Sequence, residues 1–445
     1  MSLFNIILTP HSHDFSEKFR WCIDKPSPSE KYQAKYLLEK GVNLKGWFLK
    51  KKGHHGRLAF SQDDQLIYLE NNEKRDDVLD KIVNKCENWE KLDAYGFNHF
   101  IKLRSSTFTI GVVYESRYTV LYSATVKGAF DVLRGRHSWL YLDNDTNKSV
   151  EQFKGKVKLS RLVKNQWKAY MRACLNLAKE LDVPFVFLVA PSKELIVLED
   201  YPFDSPKNTP LDQVEKIAID GFPILTLLDT LRNSKERPFR VCDTHWSAQG
   251  AMLASVDMAV HFGIPTEEVK ALFANDLYRN KEMGGDLGSK IFPPKTHIEQ
   301  LLVSYDYKTK VLYDNELPNF GRTMLIENEE ALLSKTILLF GSSSSYSMFN
   351  YISRIFRFTF FCHCAGSLDQ SLFKRLQPDY VTAQSNARFL VRAPSPSIDI
   401  KSLINEKRNN ANGSTFKKEH YSAPSSDKAK FLLYEMQKLN EHSLD

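Results

Sequence analysis

Hydrophobic and polar residues alternate in short runs over the first quarter of the chain. Six such runs are separated by polar turns and lie at residues 43–49, 57–60, 65–69, 99–103, 108–113 and 119–122. Alternation with a period of two is typical of half-buried strands. We therefore predict a β-rich, sandwich-like module over residues 31–125. Residues 1–30 open with a short strand and are interpreted as an N-terminal extension.

The pattern changes after residue 126. Apolar residues recur at helical spacing over 159–181, 247–262 and 346–356, whereas strand-like apolar runs lie at 183–189, 239–242, 336–340, 357–363 and 379–384. Alternation of strands with helices predicts a mostly parallel sheet covered by helices on both faces. We place this three-layer α/β domain at residues 126–395.

The last fifty residues have a different composition. Ser, Asn, Lys and Pro predominate from residue 393 to about residue 427, which is typical of a flexible linker. An amphipathic helix is predicted over 429–439, either as a docking element for a partner or as a folded tail. Residues 396–445 are therefore interpreted as a linker followed by a C-terminal helix.

Length and charge narrow the class of protein. At 445 residues the chain is long enough for two domains. The net charge of +7 comes from 61 basic and 54 acidic side chains, so we expect no nucleic-acid partner, although attraction to anionic glycans is compatible with it. No apolar run reaches the length of a spanning helix, and the first ten residues lack the features of a secretory signal. We expect a cytoplasmic protein, or one held peripherally at the inner membrane.

Two separate stretches carry residues of a hydrolase-like triad. Asp243 and His245 are two residues apart at the end of the predicted strand 239–242, so they project to the same side and the carboxylate can orient the imidazole as a general base. About a hundred residues later, Gly341 and four serines follow the predicted strand 336–340. A serine on a tight turn between strand and helix is exposed to an oxyanion hole of backbone N–H groups, and here we predict those of Ser343 and of Gly341 or a neighbour. Ser343 and Ser344 both remain candidates for the nucleophile.

Further polar residues fall near the same edge of the predicted sheet. Ser192 and Lys193 follow the strand 183–189, and ligands of open α/β sheets bind at the carboxyl ends of strands. Lys193 is a candidate for binding a carboxylate, an oxyanion or a donor phosphate, and equally for a structural ion pair. The segment Cys362-His363-Cys364 directs only its two cysteines to one face, so we expect no metal there.

Six ordered motifs resemble the alginate O-acetyltransferase group of SGNH-like hydrolases, over residues 126–395. They are GRHSWLYL at 135–142 with NDTN at 144–147, VAPSKE at 189–194, DTHW at 243–246, GDL at 285–287, FGSS at 340–343 and ARFL at 387–390. The resemblance implies an SGNH-like fold in which Ser343, His245 and Asp243 form the triad, with Trp246 and Arg388 close to the substrate. The usual Gly-Asp-Ser is replaced by Gly-Ser-Ser, with Ser342 in place of the acid.

The resemblance also implies a function. It predicts an O-acetyltransferase that acts on a hydroxyl of a capsule, lipopolysaccharide or exopolysaccharide, with glycan assembly machinery as a further partner. For an intracellular enzyme the simplest acetyl donor is acetyl-CoA. A carbohydrate esterase of the same fold and a non-catalytic glycan-binding assembly protein are the alternatives.

The β-rich module has a weaker likeness of its own. Gly46-Trp47 and Tyr95-Gly96-Phe97 look like β-sandwich modules found beside bacterial glycan-modifying transferases. This likeness predicts glycan binding or docking, with exposed aromatic rings as platforms. The alternative, which we favour, is that Trp47 and Phe97 belong to the hydrophobic core.

Overall fold

The computed structural model describes residues 2–85, 88–410 and 419–441 of the chain. Its strands are β1 (Leu3–Pro10), β2 (Phe19–Lys25), β3 (Tyr32–Gln33), β4 (Val42–Lys50), β5 (Arg57–Gln62), β6 (Gln65–Tyr68), β7 (Gly96–Ile101), β8 (Thr107–Tyr114), β9 (Arg117–Lys127), β10 (Val132–Arg134), β11 (Leu140–Leu142), β12 (Phe185–Ala190), β13 (Ile224–Leu225), β14 (Tyr278–Met283), β15 (His297–Leu302), β16 (Val311–Asp314), β17 (Thr323–Glu327), β18 (Leu333–Gly341), β19 (Phe356–His363), β20 (Tyr380–Asn386) and β21 (His420–Tyr421).

The α-helices are α1 (Ala34–Glu39), α2 (Asp76–Val78), α3 (Ser149–Phe153), α4 (Arg161–Leu181), α5 (Pro210–Glu215), α6 (Leu228–Arg232), α7 (Ala248–His261), α8 (Thr266–Ala271), α9 (Gly285–Gly288), α10 (Ser345–Ile355), α11 (Gln370–Leu376), α12 (Ile400–Asn409) and α13 (Asp427–Asn440). A π-helical turn, Leu79–Val83, follows α2. Short 3-10 turns lie at Arg136–Ser138, Lys193–Leu195, Tyr307–Lys310 and Ala387–Phe389.

The chain divides into two compact units. The first consists of Met1–Leu133 and Gly284–Thr296, and the second of Arg134–Met283 and His297–Asp445. The sequence placed 284–296 in the α/β domain, but the structure assigns this segment to the first unit. The reason is that Phe292 is buried in the core of the first unit, where its ring packs edge to face on Phe4 at 5.9 Å.

The first unit contains two antiparallel sheets. The larger sheet has the order β3-β1-β9-β8-β5-β6, and the smaller one has the order β2-β4-β7. Apolar residues of both sheets share one core, which agrees with sandwich-like packing. All six predicted strands are present. Phe97 is fully buried in the core, and Trp47 is half-buried and packs against a second, smaller core cluster.

The N-terminal residues are part of this fold and do not form a separate extension. Strand β1 lies between β3 and β9 in the larger sheet, and β2 forms an edge of the smaller one. In β1, Phe4 and Ile6 alternate with more exposed residues and are completely buried. Burial of these side chains fixes the segment in the sheet.

The second unit is built on an eight-stranded mixed sheet. Its order is β13-β12-β20-β18-β19-β17-β16-β21. The five strands from β13 to β19 run parallel, whereas β17, β16 and β21 are antiparallel additions at one edge. The sheet is therefore less parallel than predicted, because the short connection between β16 and β17 allows only a return in the opposite direction.

The predicted strand at 239–242 is a loop. Phe239 forms an isolated bridge with Trp246, and the main chain between them doubles back, with the N–H of Arg240 donating to the carbonyl of His245 at 3.3 Å. Glu299, which is 2% exposed, accepts from the N–H of Val241 at 2.9 Å. This N–H group therefore does not form a hydrogen bond to a neighbouring strand. Helix α7 then begins as predicted, with Ser247 accepting from the N–H of Gly250.

The predicted linker contains a helix. Helix α12 begins after Asp399, whose side chain accepts from the N–H of Lys401, and it buries Ile400 and Ile404 on one face. Residues 411–418, in the middle of the predicted linker, lie outside the described residues. Helix α13 packs on the second unit, where Asn440 donates to Thr323 Oγ1 at 2.9 Å, so it is a folded tail. Among the described helices, none is long and apolar enough to cross a membrane.

Candidate active site

Three predicted residues form a continuous hydrogen-bonded chain in the second unit. The distance from Asp243 Oδ1 to His245 Nδ1 is 2.7 Å, and that from His245 Nε2 to Ser343 Oγ is 3.0 Å. Both distances are within the range of good hydrogen bonds. In this arrangement the carboxylate holds Nδ1 protonated and leaves Nε2 to accept the hydroxyl proton of Ser343.

Asp243 is buried but remains ionised. Burial alone would raise the pKa of its carboxyl, but hydrogen bonds from the ring and main-chain N–H of His245, together with the charges of His245 and Arg240, outweigh this and hold the pKa below its usual range. Arg240 is a distant partner, at 3.8 Å from Asp243 Oδ2. The carboxylate is therefore negative at every pH at which a histidine acts as a base.

The candidate nucleophile, Ser343, lies in the turn between β18 and α10. Gly341 ends β18, and only residues 342–344 separate it from the first residue of the helix. A Cβ atom on Gly341 would lie 2.3 Å from Ser345 Oγ, so this close approach of strand and helix requires glycine. Among the serines at 342–345, only Ser343 is half-exposed, while the others are buried.

The three buried serines bind to two amide side chains of β20. Ser342 Oγ lies 2.8 Å from Gln384 Oε1 and 3.0 Å from Asn386 Oδ1. Ser345 Oγ donates to Gln384 Oε1 at 2.9 Å, and Ser344 Oγ donates to Asn386 Oδ1 at 2.9 Å. The hydroxyl of Ser344 thus donates to Asn386 and does not face His245. Of the two candidates, the geometry favours Ser343 as the nucleophile.

The hydrogen bonds also fix the orientation of both amides. The main-chain N–H of Ser342 lies 2.8 Å from one terminal atom of Gln384, which must therefore be the oxygen. The Gln384 nitrogen then faces Asn386 at 3.2 Å, so the atom of Asn386 that accepts from it is also an oxygen. Asn386 Nδ2 consequently points the other way, and nothing among the described residues accepts a hydrogen bond from it.

Lys193 holds the loop that carries Asp243. It is 3% exposed, and its ammonium donates to the carbonyls of Arg240, Val241 and Asp243 at 3.1, 3.1 and 2.7 Å. The ammonium also lies 5.4 and 5.2 Å from the ring centres of Trp139 and Tyr141. Three carbonyl acceptors match the three N–H groups of lysine. This geometry favours a structural role over the predicted binding of a ligand.

Trp246 joins the histidine loop to the nucleophile turn. Its buried indole N–H lies 3.0 Å from the carbonyl oxygen of Ser344 and 2.7 Å from Ser347 Oγ. The contact therefore positions His245 relative to Ser343. Gly341, predicted to donate to an oxyanion, pairs with His363 in the sheet, and its carbonyl accepts from the N–H groups of Cys364 and Ala365.

A small cavity borders the triad. Its lining consists of Leu142, Ala190, Pro191, Ser192, Lys193, Glu194, Phe239, Thr244, Trp246, Ser344, Asn386 and Arg388. The guanidinium of Arg388 lies over the ring of Phe389 and makes no ion pair or hydrogen bond with other described residues. It is therefore available to a ligand. Ser192 lines the same cavity, as predicted from its position after β12.

Three polar residues of this region were not found from the sequence. Glu194 is 8% exposed; burial raises the pKa of its carboxyl, while its own N–H and the charges of Arg388 and Lys193 oppose this rise. Gln384 and Asn386 are the other two. The sequence feature that could have revealed Gln384 and Asn386 is a pair of amides, two residues apart, at the carboxyl end of a strand of buried residues.

Comparison with known proteins gives only distant structural likeness. No family model and no curated protein matches the chain. The O-acetyltransferase domain of Pseudomonas putida AlgJ is similar, with a TM-score of 0.37, 16% identity, and coverage of 62% of this chain and 99% of that chain. For Bacillus cereus PatB1 the values are 0.40, 14%, 61% and 98%, and for Pseudomonas aeruginosa AlgX they are 0.36, 13%, 59% and 66%. These TM-scores are below 0.5, so the assignment of the site rests on its geometry.

Proposed function

We propose that the protein is a serine-dependent O-acetyltransferase that transfers an acetyl group to a hydroxyl of a bacterial surface polysaccharide. The observation that carries this proposal is the hydrogen-bonded chain Asp243, His245 and Ser343, with Ser343 half-exposed. The resemblance of the motifs around these residues to SGNH-like alginate O-acetyltransferases supports transfer rather than hydrolysis. In that fold the sheet would be covered by helices on both faces, with the triad at the carboxyl ends of its strands.

The reaction proceeds in two steps. In the first, Ser343 Oγ attacks the acetyl carbonyl carbon of the donor while His245 Nε2 takes the hydroxyl proton, and the leaving thiol of acetyl-CoA then receives that proton. In the second, a sugar hydroxyl attacks the acetyl-serine and gives its proton to His245, which returns it to Ser343 Oγ as the ester bond breaks. Asp243 stabilises the imidazolium in both steps.

Negative charge develops on the acetyl oxygen in each step. We assign its stabilisation to the main-chain N–H of Ser343 and to Asn386 Nδ2, neither of which has an acceptor among the described residues. The N-terminus of α10, which begins at Ser345, adds a favourable dipole. One such donor is typically worth roughly 3 kcal/mol in the transition state.

The charged groups of donor or acceptor that lie nearest the reacting acetyl group are assigned to the small cavity beside the triad. Arg388 supplies a positive charge there, which suits a phosphate of acetyl-CoA or a carboxylate of an acidic sugar. Ser192 supplies a hydroxyl, and the carboxyl of Glu194 lies in the same lining. Transfer requires that the sugar reach the acetyl-serine before water does.

The direct test is acetyl transfer with purified protein. Acetyl-CoA and oligosaccharides from bacterial capsule, lipopolysaccharide and exopolysaccharide are supplied, and both free thiol and glycan-bound ester are measured. The proposal predicts ester formation that depends on the glycan and is abolished in His245→Ala. Release of acetate from an acetylated glycan, without any transfer, would instead identify a carbohydrate esterase.

A further inference from the structure

One buried carboxyl group of the second unit differs from all the others described there. Seven Asp and Glu residues of this unit are buried. Six of them accept hydrogen bonds from other residues: Asp243 from His245, Glu299 from Arg237, Asp314 from Arg322, Glu327 from Arg357, Asp369 from the N–H of Leu372, and Glu435 from Arg375. The seventh, Glu194, accepts from its own main-chain N–H and from no other described residue.

The burial of Glu194 without a partner is unfavourable for the fold. The residue is 8% exposed, and buried carboxyl groups are almost always paired. Burial raises the pKa of this carboxyl, whereas its own N–H and the charges of Arg388 and Lys193 oppose the rise, although neither cation forms an ion pair with it. A polar group that the fold itself does not use indicates a ligand.

The position of Glu194 relative to the triad is fixed. It lies in the 3-10 turn Lys193–Leu195, which is closed by the N–H of Leu195 donating to the carbonyl of Ser192 at 2.9 Å. The ammonium of the neighbouring Lys193 donates to three carbonyls of the loop that carries Asp243. The carboxyl group is therefore held in place before any ligand binds, and binding does not have to order it.

A ligand can reach Glu194 only from the side of the triad. Glu194 lines the cavity beside the triad and a second cavity of about 10 Å³, which has room for one water molecule at most. The polar side chains of the second cavity already form hydrogen bonds within the protein, as Gln152 does to the carbonyls of Asn147 and Arg388. The first cavity, in contrast, is lined by Thr244 and Ser344, which are neighbours of His245 and Ser343.

The size and chemistry of the first cavity limit the group that binds there. It encloses about 20 Å³, so the edge of a sugar with its hydroxyl fits, whereas a whole ring does not. An anionic group can contact Arg388 but has no proton to donate to Glu194. The hydroxyl of Ser192, which makes no hydrogen bond with another described residue, lines the same space. These groups favour a hydroxyl that donates to the carboxylate.

We propose that Glu194 binds the sugar hydroxyl next to the one that is acetylated, with Ser192 beside it. The identification of this sugar as the acetyl acceptor rests on the proposed function, but the binding of two adjacent hydroxyls does not. A site built around a hydroxyl discriminates strongly against an analogue without it, because the buried partner is left unpaired. The substrate class that follows is a polysaccharide with free hydroxyls on adjacent carbons.

The experiment lets two acceptors compete for the acetyl group. The full chain is acetylated with an activated acetate ester in the presence of equal concentrations of trans-cyclohexane-1,2-diol and cyclohexanol, and both ester products are measured. Glu194→Gln is compared with the wild type and with Glu435→Gln. The latter is the matched control, because Glu435 is a buried carboxyl of the same unit that pairs with Arg375 and does not line the cavity.

We expect the wild type and Glu435→Gln to acetylate the diol roughly tenfold or more in preference to cyclohexanol, beyond what its second hydroxyl explains by number. Glu194→Gln should lose this preference. The free energy of unfolding should be equal or higher in Glu194→Gln and lower in Glu435→Gln, because only Glu435 has a partner to lose. A structural role of Glu194 would lower its stability instead.

The binding of the diol is also measured without acetyl transfer, by ligand-observed NMR on Ser343→Ala and on Ser343→Ala/Glu194→Gln. We expect saturation transfer to the diol in the first variant and its loss in the second. Equal or absent signals in both variants would overturn the proposal, as would equal yields of the two esters in the wild type or an unchanged preference in Glu194→Gln.

Two further outcomes identify which claim fails. If Glu194→Gln slows acetylation of Ser343 by acetyl-CoA but not by the activated ester, Glu194 binds the donor, and the proposal is overturned. If no acetyl-serine forms in the wild type, the proposed function fails. The NMR comparison then decides the diol site by itself, because it requires no acetyl group.

Discussion

The indole N–H of Trp246 donates to the main-chain carbonyl of Ser344 at 3.0 Å. This bond ties the loop that carries His245 to the turn that carries Ser343, although the two are 98 residues apart in the chain. The pair explains why a tryptophan directly after the histidine matters to the site. Trp246 acts by positioning the two segments, because its N–H already donates a hydrogen bond within the protein.

Replacement of Trp246 by phenylalanine tests this positioning role. Trp246→Phe keeps an aromatic ring but removes the indole N–H from the Ser344 carbonyl and from Ser347 Oγ, and loss of a buried hydrogen bond typically costs about 1 kcal/mol. We expect kcat to fall roughly tenfold or more because the distance between His245 and Ser343 is no longer fixed. The measurement is steady-state acetyl transfer together with the free energy of unfolding.

Tyr170→Phe is the matched control for this variant. Tyr170 is fully buried and donates to the carbonyl of Gly366 at 2.6 Å, without contact to the triad. It should lose a similar amount of stability and retain kcat. Equal kcat values for Trp246→Phe and Tyr170→Phe would show that the tryptophan only stabilises the fold.

Lys193 and Arg388 line the same cavity, but we expect their substitution to change different quantities. Lys193→Met removes the buried ammonium from the carbonyls of Arg240, Val241 and Asp243, so we expect a loss of roughly 2–4 kcal/mol of stability and a lower kcat, with KM for the donor unchanged. Arg388→Met should raise KM and leave stability nearly unchanged, because its guanidinium has no partner among the described residues. A raised KM as the main effect of Lys193→Met would restore the predicted ligand role.

Asn386 offers a test of the oxyanion assignment. Asn386→Asp keeps an oxygen for Ser342 and Ser344 but replaces Nδ2, the assigned donor, by a second oxygen. Loss of one such donor typically lowers kcat about 10²–10³-fold. We expect that loss for Asn386→Asp with little change in KM, and a comparable one for Asn386→Ala with lower stability. Activity near that of the wild type in both variants would remove Asn386 from the oxyanion site.

His363 should make the stability of the second unit depend on pH. Burial, assisted by the charges of Arg322 and Lys407, lowers the pKa of this imidazole to about 4, and Nδ1 lies 2.8 Å from the Tyr346 hydroxyl. Because the folded pKa is below the unfolded one, the unfolded state takes up the proton first as pH falls. Stability present above pH 6.5 is therefore lost between about pH 6.5 and 4, by roughly 2–3 kcal/mol.

The check is the free energy of unfolding as a function of pH in the wild type, His363→Gln and the exposed His420→Gln. His363→Gln should flatten the curve in this window, and His420→Gln should leave it unchanged. A curve that is identical in His363→Gln and the wild type would contradict the assignment of the slope to this histidine.

The sequence predicted the parts of the site that depend on local signals. The turn at residues 341–345 follows a long apolar strand and carries a glycine, so the sequence alone predicts a candidate nucleophile there. Asp243 and His245 are close in sequence, and their pairing needs only a short loop. For these reasons the three residues predicted as a triad lie together in the structure.

The features that the sequence did not predict depend on contacts between residues that are distant in the chain, and local sequence patterns do not show such contacts. The segment 239–242 alternates like a strand, but Lys193 and Glu299, both distant in the chain, bind its main chain and hold it as a loop. Likewise, the amides of Gln384 and Asn386 contact the serines after β18 only because β20 lies beside β18 in the sheet. Ile400 and Ile404 were too few apolar residues to reveal α12 in a polar stretch.

The most direct test of the central claim is the intact mass of the protein after brief exposure to acetyl-CoA and, separately, to an activated acetate ester. Ser344→Ala serves as the matched control for Ser343→Ala, because it removes a hydroxyl from the same turn that donates to Asn386 rather than facing His245. We predict an acetyl adduct in the wild type and in Ser344→Ala, and none in Ser343→Ala. An adduct that persists in Ser343→Ala, or one that is lost only in Ser344→Ala, would contradict Ser343 as the nucleophile.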